Sequence, residues 1–264
     1  ASGADAGQGA VMKQDPAVGL LVKVCDSPAM VHIAAQCGMD FLFYDLEHGM
    51  ISDQRLLDLT LLGNALGIPS LVRVPQLARK DVSRTLDEGA AGVMVPMIET
   101  PQQARQLADW ALYPPLGCRS YSGGANTGYG PGGNHRVNMD KANDSVLVLA
   151  QIETVKGVTN CEAILDVPGI SGAVIGPCDL SISRNDPDDM MNPEEVAMIS
   201  RVQKACHERG KLFGLIGPYK LMEQLPEITD LAVAAFDTTL LRNGCLEAVK
   251  EFREMNSGRR KETE

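Results

Sequence analysis

The stretch Phe41-Leu42-Phe43-Tyr44-Asp45-Leu46-Glu47-His48-Gly49 begins with four apolar or aromatic residues and ends with two carboxylates and an imidazole. The apolar half predicts a buried strand, because strands covered on both faces are nearly continuous apolar runs. Polar groups placed only at the carboxyl end of such a strand are typical of parallel α/β folds, whose small-molecule sites lie at that end. The stretch therefore predicts a parallel sheet with chemistry at its rim.

Seven further apolar segments alternate with helical patterns, and the eight predicted strands end near residues 25, 46, 74, 96, 152, 176, 216 and 236. Most intervals fit one strand–helix unit, but 96 to 152 and 176 to 216 are longer. This count predicts a single (β/α)8 TIM barrel with long loops after strands 4 and 6. A doubly wound sheet is the alternative, because the order of strands cannot be read from sequence.

The predicted barrel covers residues 16–255. A flexible segment, residues 1–15, precedes it, and a polar tail, residues 256–264, follows it. Residues 117–134 are rich in glycine and are expected to form a mobile loop over the mouth of the barrel. A helix is expected from Leu240 to Met255.

Composition excludes several classes of protein. The 264 residues carry a formal net charge of −10, which argues against a sequence-independent grip on nucleic acid. No apolar run approaches the roughly 20 residues that span a membrane. The seven cysteines form no C-x-x-C motif, and residues 1–15 lack the basic and apolar parts of a signal peptide. We therefore expect a cytoplasmic protein that acts on a small molecule.

Two carboxylates at neighbouring strand ends predict a metal site. Glu153 follows the fifth strand and Asp179 follows the sixth, so their side chains can converge. Hard oxygen ligands with open positions suit Mg²⁺ or Mn²⁺. The alternative is structural: each carboxylate caps the helix that follows it.

The second strand predicts an acid–base pair. Asp45 can fix the tautomer of the His48 imidazole and raise its basicity. Arg73, at the tip of the third strand, would lie beside the pair and suits an enolate or carboxylate oxygen, or else forms a salt bridge to Glu47. No lysine stands at a late strand tip, which argues against Schiff-base chemistry. Lys23, in the first predicted strand, is the exception to watch.

Five ordered motifs resemble a known family. They are Tyr44-Asp45-Leu46-Glu47-His48-Gly49, Val72-Arg73-Val74-Pro75, Tyr113-Pro114-Pro115-x-Gly117-x-Arg119, Gln151-Ile152-Glu153-Thr154 and Gly176-Pro177-Cys178-Asp179-Leu180-Ser181. Together, from about residue 18 to 252, the chain resembles the HpcH/HpaI family of metal-dependent 2-oxo-acid aldolases.

The resemblance implies a barrel in which pyruvate or its enolate binds a divalent metal held by Glu153 and Asp179. It implies that Arg73 stabilises the enolate oxygen and that His48, oriented by Asp45, acts as the base through a water molecule. The remaining implied substrate-binding residues are Gln151, Gly176, Pro177, Cys178, Arg119 and Ser120. Members of the family commonly form hexamers of paired subunits that exchange C-terminal helices, so residues 238–255 are expected to pack on a neighbour in a homo-oligomer.

The sequence departs from many of these aldolases at Arg119-Ser120-Tyr121-Ser122, where they have Arg-Gly. This segment and residues 233–237 look closer to the macrophomate synthase branch, which makes the pyruvate enolate by decarboxylating oxaloacetate. The leading hypothesis is a carbon–carbon lyase, of the aldolase or oxaloacetate decarboxylase type, that acts on a 2-oxo acid. The alternatives are a citrate synthase-like condensation of oxaloacetate with an acyl thioester, as in siderophore biosynthesis, and a non-catalytic binding module.

Overall fold

Eight parallel strands pair in sequential order, and the first also pairs with the eighth, so the sheet closes into a barrel. The computed structural model describes residues 16–130 and 133–261. The strands are β1 (Ala17–Val22), β2 (Phe41–Asp45), β3 (Ser70–Arg73), β4 (Gly92–Val95), β5 (Leu147–Ile152), β6 (Gly172–Ile175), β7 (Leu212–Ile216) and β8 (Leu231–Phe236). The predicted (β/α)8 barrel is confirmed, and the doubly wound alternative is excluded.

The helices begin and end largely where the capping residues predict. Their bounds are α1 (Pro28–Gln36), α2 (Asp53–Leu66), α3 (Arg79–Asp87), α4 (Pro101–Ala111), α5 (His135–Ser145), α6 (Val155–Thr159), α7 (Cys161–Leu165), α8 (Pro177–Ser183), α9 (Pro193–His207), α10 (Tyr219–Met222) and α11 (Asp237–Lys261). Ser52 caps α2 through its side chain, Thr100 and Gln103 form a capping box on α4, and Gly67 ends α2 at a φ of 74°. These local signals set the positions at which the chain reverses between strand and helix.

Two apolar layers hold the barrel together. The inner layer fills the barrel with side chains from all eight strands: Ala17, Leu21, Phe41, Phe43, Leu71, Met94, Leu147, Leu149, Val174, Leu212, Leu231 and Val233. The outer layer packs the opposite strand faces against the helices. Because both faces of β1 to β7 are covered, these strands read as continuous apolar runs rather than as alternating ones. The polar residues are therefore left at the strand ends.

The long segment between β4 and β5 lies at the end of the barrel where the strands begin, whereas the sequence predicts it at the mouth, where the strands end. It follows α4 rather than β4, and the helices run antiparallel to the strands, so it begins where the strands begin. Arg119 in this segment donates from Nη2 to Asp87 Oδ1 at 2.6 Å, at the carboxyl end of α3. The expectation that residues 117–134 cover the mouth is therefore wrong for the chain's own barrel. The long connection after β6 is present and contains α8.

Two further differences concern helices. No helix is predicted between the glycine-rich residues 117–134 and β5, but α5 forms there; Asn134 caps it, and none of its residues is buried. Because α5 has no apolar stripe, its residues show no helical periodicity from which to predict it. The last helix extends from Asp237 to Lys261, so it takes in most of the predicted polar tail. The predicted flexible segment, residues 1–15, lies outside the described residues, as do 131–132 and 262–264.

The helix α11 does not cover the barrel that it follows. Every residue from 238 to 255 is exposed, while β8 is only half-buried along much of its length. The outer face of β8 therefore lacks the helical layer that covers the other strands. Among the described residues, no helix is both long and apolar enough to cross a membrane.

A histidine clamp fastens the loop before β8 to the end of α9. The ring of His207 contacts Glu227 through Nδ1 and Asp230 through Nε2, the latter at 3.0 Å. The Asp230 carboxylate also accepts from the backbone N–H of Phe213 at 2.7 Å. Burial lowers the pKa of His207, but the hydrogen bonds to the two carboxylates outweigh it, so the pKa lies above its ordinary value.

We expect this clamp to make stability depend on pH. Because the folded-state pKa of His207 is raised, its contribution is fully present below the unfolded pKa of about 6.5 and is lost as pH rises through the folded value. The variant His207→Gln should therefore melt about 3 °C below the parent at pH 6, and this difference should shrink on the alkaline side. Thermal melts from pH 5.5 to 9 measure the difference in melting temperature between His207→Gln and the parent. The control is His32→Gln, at a histidine that is exposed. A difference that stays constant across this range would contradict the clamp.

Candidate functional site

An aspartate–arginine pair joins the tips of β2 and β3. Asp45 and Arg73 are register partners in the sheet, each the last residue of its strand. Arg73 donates to both carboxylate oxygens, from Nε at 2.9 Å and from Nη2 at 2.6 Å. Their side chains are 0% and 8% exposed. This bidentate geometry fixes the plane of the guanidinium at the mouth of the barrel.

Asp45 and Arg73 each shift the pKa of the other in the direction that favours its charged form. Burial raises the pKa of Asp45, but the bonds from Arg73 and its positive charge outweigh that effect and hold the pKa below its ordinary value. Burial lowers the pKa of Arg73, and its bonds to Asp45 with the charges of Glu47 and Glu153 raise it overall. Both groups are therefore charged at neutral pH, and Arg73 lies within electrostatic range of Glu153.

The structure contradicts the prediction that Asp45 orients the His48 imidazole. The Asp45 carboxylate accepts instead from Arg73 and from the backbone N–H groups of Glu47 and His48, at 3.1 and 3.2 Å. The imidazole is 58% exposed, and its Nε2 lies 3.8 Å from Glu47 Oε2. Asp45 thus fixes the backbone that carries His48 and the side chain of Arg73, because its two oxygens cannot also reach the ring.

Glu47 is a member of the site. Its Oε2 lies 3.2 Å from Arg73 Nε, which is the salt bridge held open as an alternative from the sequence. Burial raises the pKa of Glu47; Arg73 and His48 oppose that rise, and Asp45 and Asp179 add to it, so the net pKa is raised. The carboxylate is therefore close enough to the first turn of the helix after β6 to interact with Asp179.

Glu153 is a buried acid held in place from two sides. Its side chain accepts from the backbone N–H of Met97 at 2.8 Å and from the side-chain amide of Gln151. Met97 adopts a φ of 57°, a conformation that costs energy for a residue with a side chain. Sequence reasoning missed Met97, because a contact made by backbone carries no side-chain signal.

The electrostatics around Glu153 indicate a deficit of positive charge. Burial is the largest cause of a pKa raised to about 7, and the neighbouring carboxylates of Asp179 and Glu47 add to it. Gln151 is 1% exposed, and its Oε1 has no hydrogen-bond partner among the described residues. A divalent cation would offset the crowded negative charge, so Glu153 and Asp179 fit the predicted metal site.

The protein supplies only part of such a site. Within residues 16–130 and 133–261, no cluster of three or more His, Cys, Asp or Glu side chains could hold a metal. Two carboxylates leave most positions of a six-coordinate cation to water and substrate, which is usual for Mg²⁺. Asp179 is exposed in the first turn of α8 and so is open to the mouth.

Gly176 makes room for this arrangement. A Cβ on Gly176 would lie 2.5 Å from Glu153 Oε2 and 2.9 Å from Gln151 Nε2. Any side chain at this position would therefore displace the acid. Pro177 and Cys178 follow directly as the first residues of α8, with Pro177 buried and Cys178 exposed.

Arg119 and Ser120 do not join the other predicted residues within one chain. Arg119 is 6% exposed, pairs with Asp87, and lies 4.8 Å from the Tyr113 ring centroid, at the strand-start end of the barrel. Ser120 is exposed beside it. The prediction failed because the helix α4 separates this segment from β4, so the segment returns to the far end.

Comparison with known proteins gives consistent results. Residues 20–243 match the family model described as HpcH/HpaI aldolase/citrate lyase. A 2-keto-3-deoxy-L-rhamnonate aldolase from Salmonella schwarzengrund is 34% identical over 217 residues, which cover 80% of this chain and 79% of that protein. A crystal structure of an HpcH/HpaI aldolase from Desulfitobacterium hafniense superposes with a TM-score of 0.84 at 28% identity, over 91% of this chain and 93% of that one. Macrophomate synthase superposes with a TM-score of 0.75 at 25% identity, over 91% and 86%.

Proposed function

Because the chain belongs to the HpcH/HpaI aldolase/citrate lyase family and is a carbon–carbon lyase, we propose that it cleaves 4-hydroxy-2-oxo acids into pyruvate and an aldehyde. The observation that carries the proposal is the Arg73 guanidinium, held by Asp45 and lying within electrostatic range of Glu153. A fixed positive charge near Glu153 supports a role for Arg73 in stabilising the enolate oxygen as it develops negative charge. The similarity to an enzyme named as a 2-keto-3-deoxy-L-rhamnonate aldolase supports the same class of substrate.

The proposed cleavage uses the chain's own residues as follows. The exposed His48 imidazole accepts, directly or through water, the proton of the C4 hydroxyl. The C3–C4 bond then breaks, an aldehyde leaves, and the electron pair of that bond forms the enolate of pyruvate. Arg73 stabilises the negative charge that grows on the C2 oxygen, because its guanidinium is already oriented before the reaction begins. Protonation at C3 releases pyruvate.

Glu153 and Asp179 would hold a divalent metal, Mg²⁺ or Mn²⁺. When bound, it would act as a Lewis acid for charge on the enolate oxygen. Gln151 braces Glu153, and the backbone of Gly176, Pro177 and Cys178 would hold the carboxylate of the 2-oxo acid. The hydrogen bond from the Gln151 amide to Glu153 and the close approach of the Gly176 backbone to the Glu153 carboxylate support this arrangement.

The proposal is tested by following pyruvate release from 4-hydroxy-2-oxopentanoate, coupled to reduction of pyruvate by lactate dehydrogenase. We expect turnover with added Mg²⁺ or Mn²⁺ and its loss in chelator, restored by metal. Absence of pyruvate release from this substrate, with either metal, would overturn the proposed cleavage.

The same enolate can arise by two other reactions, and assays of their products on the same protein distinguish them. Oxaloacetate decarboxylation would form pyruvate and CO₂ without an aldehyde. A citrate synthase-like condensation would consume an acyl thioester and release a free thiol, which a thiol reagent detects. We place aldol cleavage first because a relative 34% identical to this chain is named as an aldolase.

We also propose that the chain forms a homo-oligomer through α11, in which three dimers assemble into a hexamer. Apolar or small side chains recur along the exposed helix at spacings of four and three residues, at Leu241, Cys245, Ala248, Phe252 and Met255. Such a stripe is typical of a helix that packs on a partner. A second copy fits, because each chain leaves its own β8 half-covered. We also propose a cytoplasmic location, because the seven cysteines are free and free cysteines favour a reducing compartment.

The substitution Phe252→Glu should weaken this assembly. Phe252 is 66% exposed in the single chain and would become buried in the interface, where a carboxylate is costly. We expect light scattering coupled to gel filtration to show a smaller species for Phe252→Glu at micromolar concentration. The conservative Phe252→Leu should retain the parental mass. A parental mass for both variants would contradict the role of this helix.

A further inference from the structure

The loop from β4 to α4, residues 96–100, holds a strained residue against the proposed metal ligand. Met97 has a φ of 57°, and its N–H donates to Glu153 Oε1 at 2.8 Å. A residue with a side chain keeps such a conformation only where the surrounding structure enforces it. The side chain of Met97 is 48% exposed, so its own packing supplies little of that restraint. The restraint therefore comes from the neighbouring residues of the loop.

Glu99 fastens this loop to the residues that follow Glu153. Its Oε1 accepts from the Thr154 hydroxyl at 2.9 Å, and its Oε2 accepts from Lys156 Nζ at 2.9 Å. Its carbonyl oxygen accepts from the side-chain amide of Asn160 at 2.8 Å. The hydrogen bonds from Lys156 and then from Thr154 hold the pKa of Glu99 below its ordinary value, so the group is charged at neutral pH. Three side chains that follow Glu153 in the chain thus converge on Glu99.

The backbone between Met97 and Glu99 has little space in which to move. The N–H of Ile98 donates to the carbonyl of Gln151, in β5, at 3.1 Å. A Cβ on Gly157 would lie 2.9 Å from the Ile98 carbonyl oxygen, so α6 approaches the loop closely. Because Met97 lies only two residues before Glu99, the contacts that fix Glu99 and Ile98 also limit the direction of the Met97 N–H.

We propose that Glu99 is a positioning residue for the metal site: it holds Met97 in its strained conformation, so that the Met97 N–H fixes the Glu153 carboxylate. The inference rests on the proposed function, in which Glu153 binds a divalent cation. A carboxylate that is already oriented loses less conformational freedom when the cation binds, which raises affinity. The competing explanation is that Glu99 only forms an ion pair with Lys156, whose side chain is 60% exposed. Cation affinity would then not depend on Glu99.

The test measures the affinity for Mn²⁺ without substrate, through the electron paramagnetic resonance signal of free Mn²⁺. Glu99→Ala removes both carboxylate contacts and keeps the backbone ones, and we expect it to raise the Kd for Mn²⁺ about fivefold. Glu99→Gln keeps an acceptor for the Thr154 hydroxyl and should recover part of that affinity. The control is Glu162→Ala, which removes a carboxylate of α7 that pairs with Arg201, also at 2.9 Å. We expect the control to keep the parental Kd.

A second background separates an effect through Met97 from a general effect on the fold. Glycine adopts a positive φ without the energy that a side chain costs there, so Met97→Gly should not need Glu99 to hold its backbone. In the Met97→Gly background, we therefore expect Glu99→Ala to raise the Kd for Mn²⁺ by about twofold at most.

Three results would overturn this role of Glu99 and leave the proposed cleavage intact. They are an unchanged Kd in Glu99→Ala, an equal rise in Glu162→Ala, and a rise that is just as large in the Met97→Gly background. If the parent releases no pyruvate but Glu99→Ala still weakens Mn²⁺ binding as expected, the proposed cleavage falls and the role of Glu99 stands. A parent without affinity for Mn²⁺ would overturn both the metal site and this role.

Discussion

Replacing Glu153 by glutamine is expected to lower kcat for pyruvate release on the order of 10³-fold. The substitution keeps the size of the side chain and a carbonyl oxygen for the Met97 N–H, but it removes the negative charge. The parent carboxylate lies among other acids, with a pKa raised to about 7, which is the environment that a divalent cation would neutralise. Without that charge, the site would lose both cation affinity and the Lewis acid that the cation supplies.

The prediction is measured as steady-state kcat across a series of Mg²⁺ concentrations, with Mg²⁺ affinity followed by calorimetry. Glu195→Gln is the matched control, since Glu195 is 0% exposed and pairs with Arg184 rather than with the residues at the strand tips. We expect that control to keep its Mg²⁺ affinity and most of its kcat even if it melts at lower temperature. Undiminished turnover of Glu153→Gln, or Mg²⁺ affinity equal to that of the parent, would refute the assignment of Glu153 as a metal ligand.

The sequence predicts the barrel and the residues at its mouth because both follow from one regularity. Parallel strands buried on both faces leave polar residues only at their carboxyl ends, and closure of the sheet brings those ends together. The strand pattern alone therefore assigns Asp45, Arg73, Gln151 and Glu153 to one rim. The register that pairs Asp45 with Arg73 follows from the same closure.

The contacts within that rim could not be read from sequence. Asp45 had two candidate partners, His48 three residues away and Arg73 on the next strand, and short spacing favoured the wrong one. Asp45 binds the guanidinium of Arg73 because that group can donate to both carboxylate oxygens. The chain turns away after Asp45 and leaves the imidazole of His48 exposed. The Met97 N–H and its φ of 57° had no sequence signature either, since Met is not a residue that favours positive φ.

The error in placing residues 117–134 has a similar cause. The glycine-rich stretch lies between β4 and β5 in the sequence, which suggests a loop at the mouth. A connection starts, however, at the end of the barrel where the element before it stops. Since α4 stops at the strand-start end, the segment packs there, with Arg119 against Asp87. The end of α4 at Ala111, together with the direction of that helix, places the segment at the strand-start end.

The substitution Arg73→Lys is expected to lower kcat on the order of 10²-fold while leaving the net charge unchanged. Lysine carries the same charge, but it cannot make the two parallel bonds that hold Arg73 on Asp45 at 2.9 and 2.6 Å. Its ammonium would compete with Lys23 for the Asp45 carboxylate and would not present a fixed donor to the enolate oxygen. Because that oxygen gains charge only as the bond breaks, the loss should fall on kcat more than on KM.

A buried arginine also contributes to stability, so Arg73→Lys needs a control for a weakened fold. Arg184→Lys provides it, because the Arg184 side chain is 6% exposed, close to the 8% of Arg73, and is bound to a buried carboxylate, that of Glu195, at 3.0 Å. If Arg73 acts on the enolate, the two variants should melt at similar temperatures, while only Arg73→Lys loses kcat. Equal losses of kcat in both would instead mean that Arg73 matters only to the fold. That result would remove the observation on which the proposed cleavage depends, because no other guanidinium among the described residues is held by the acids of this rim.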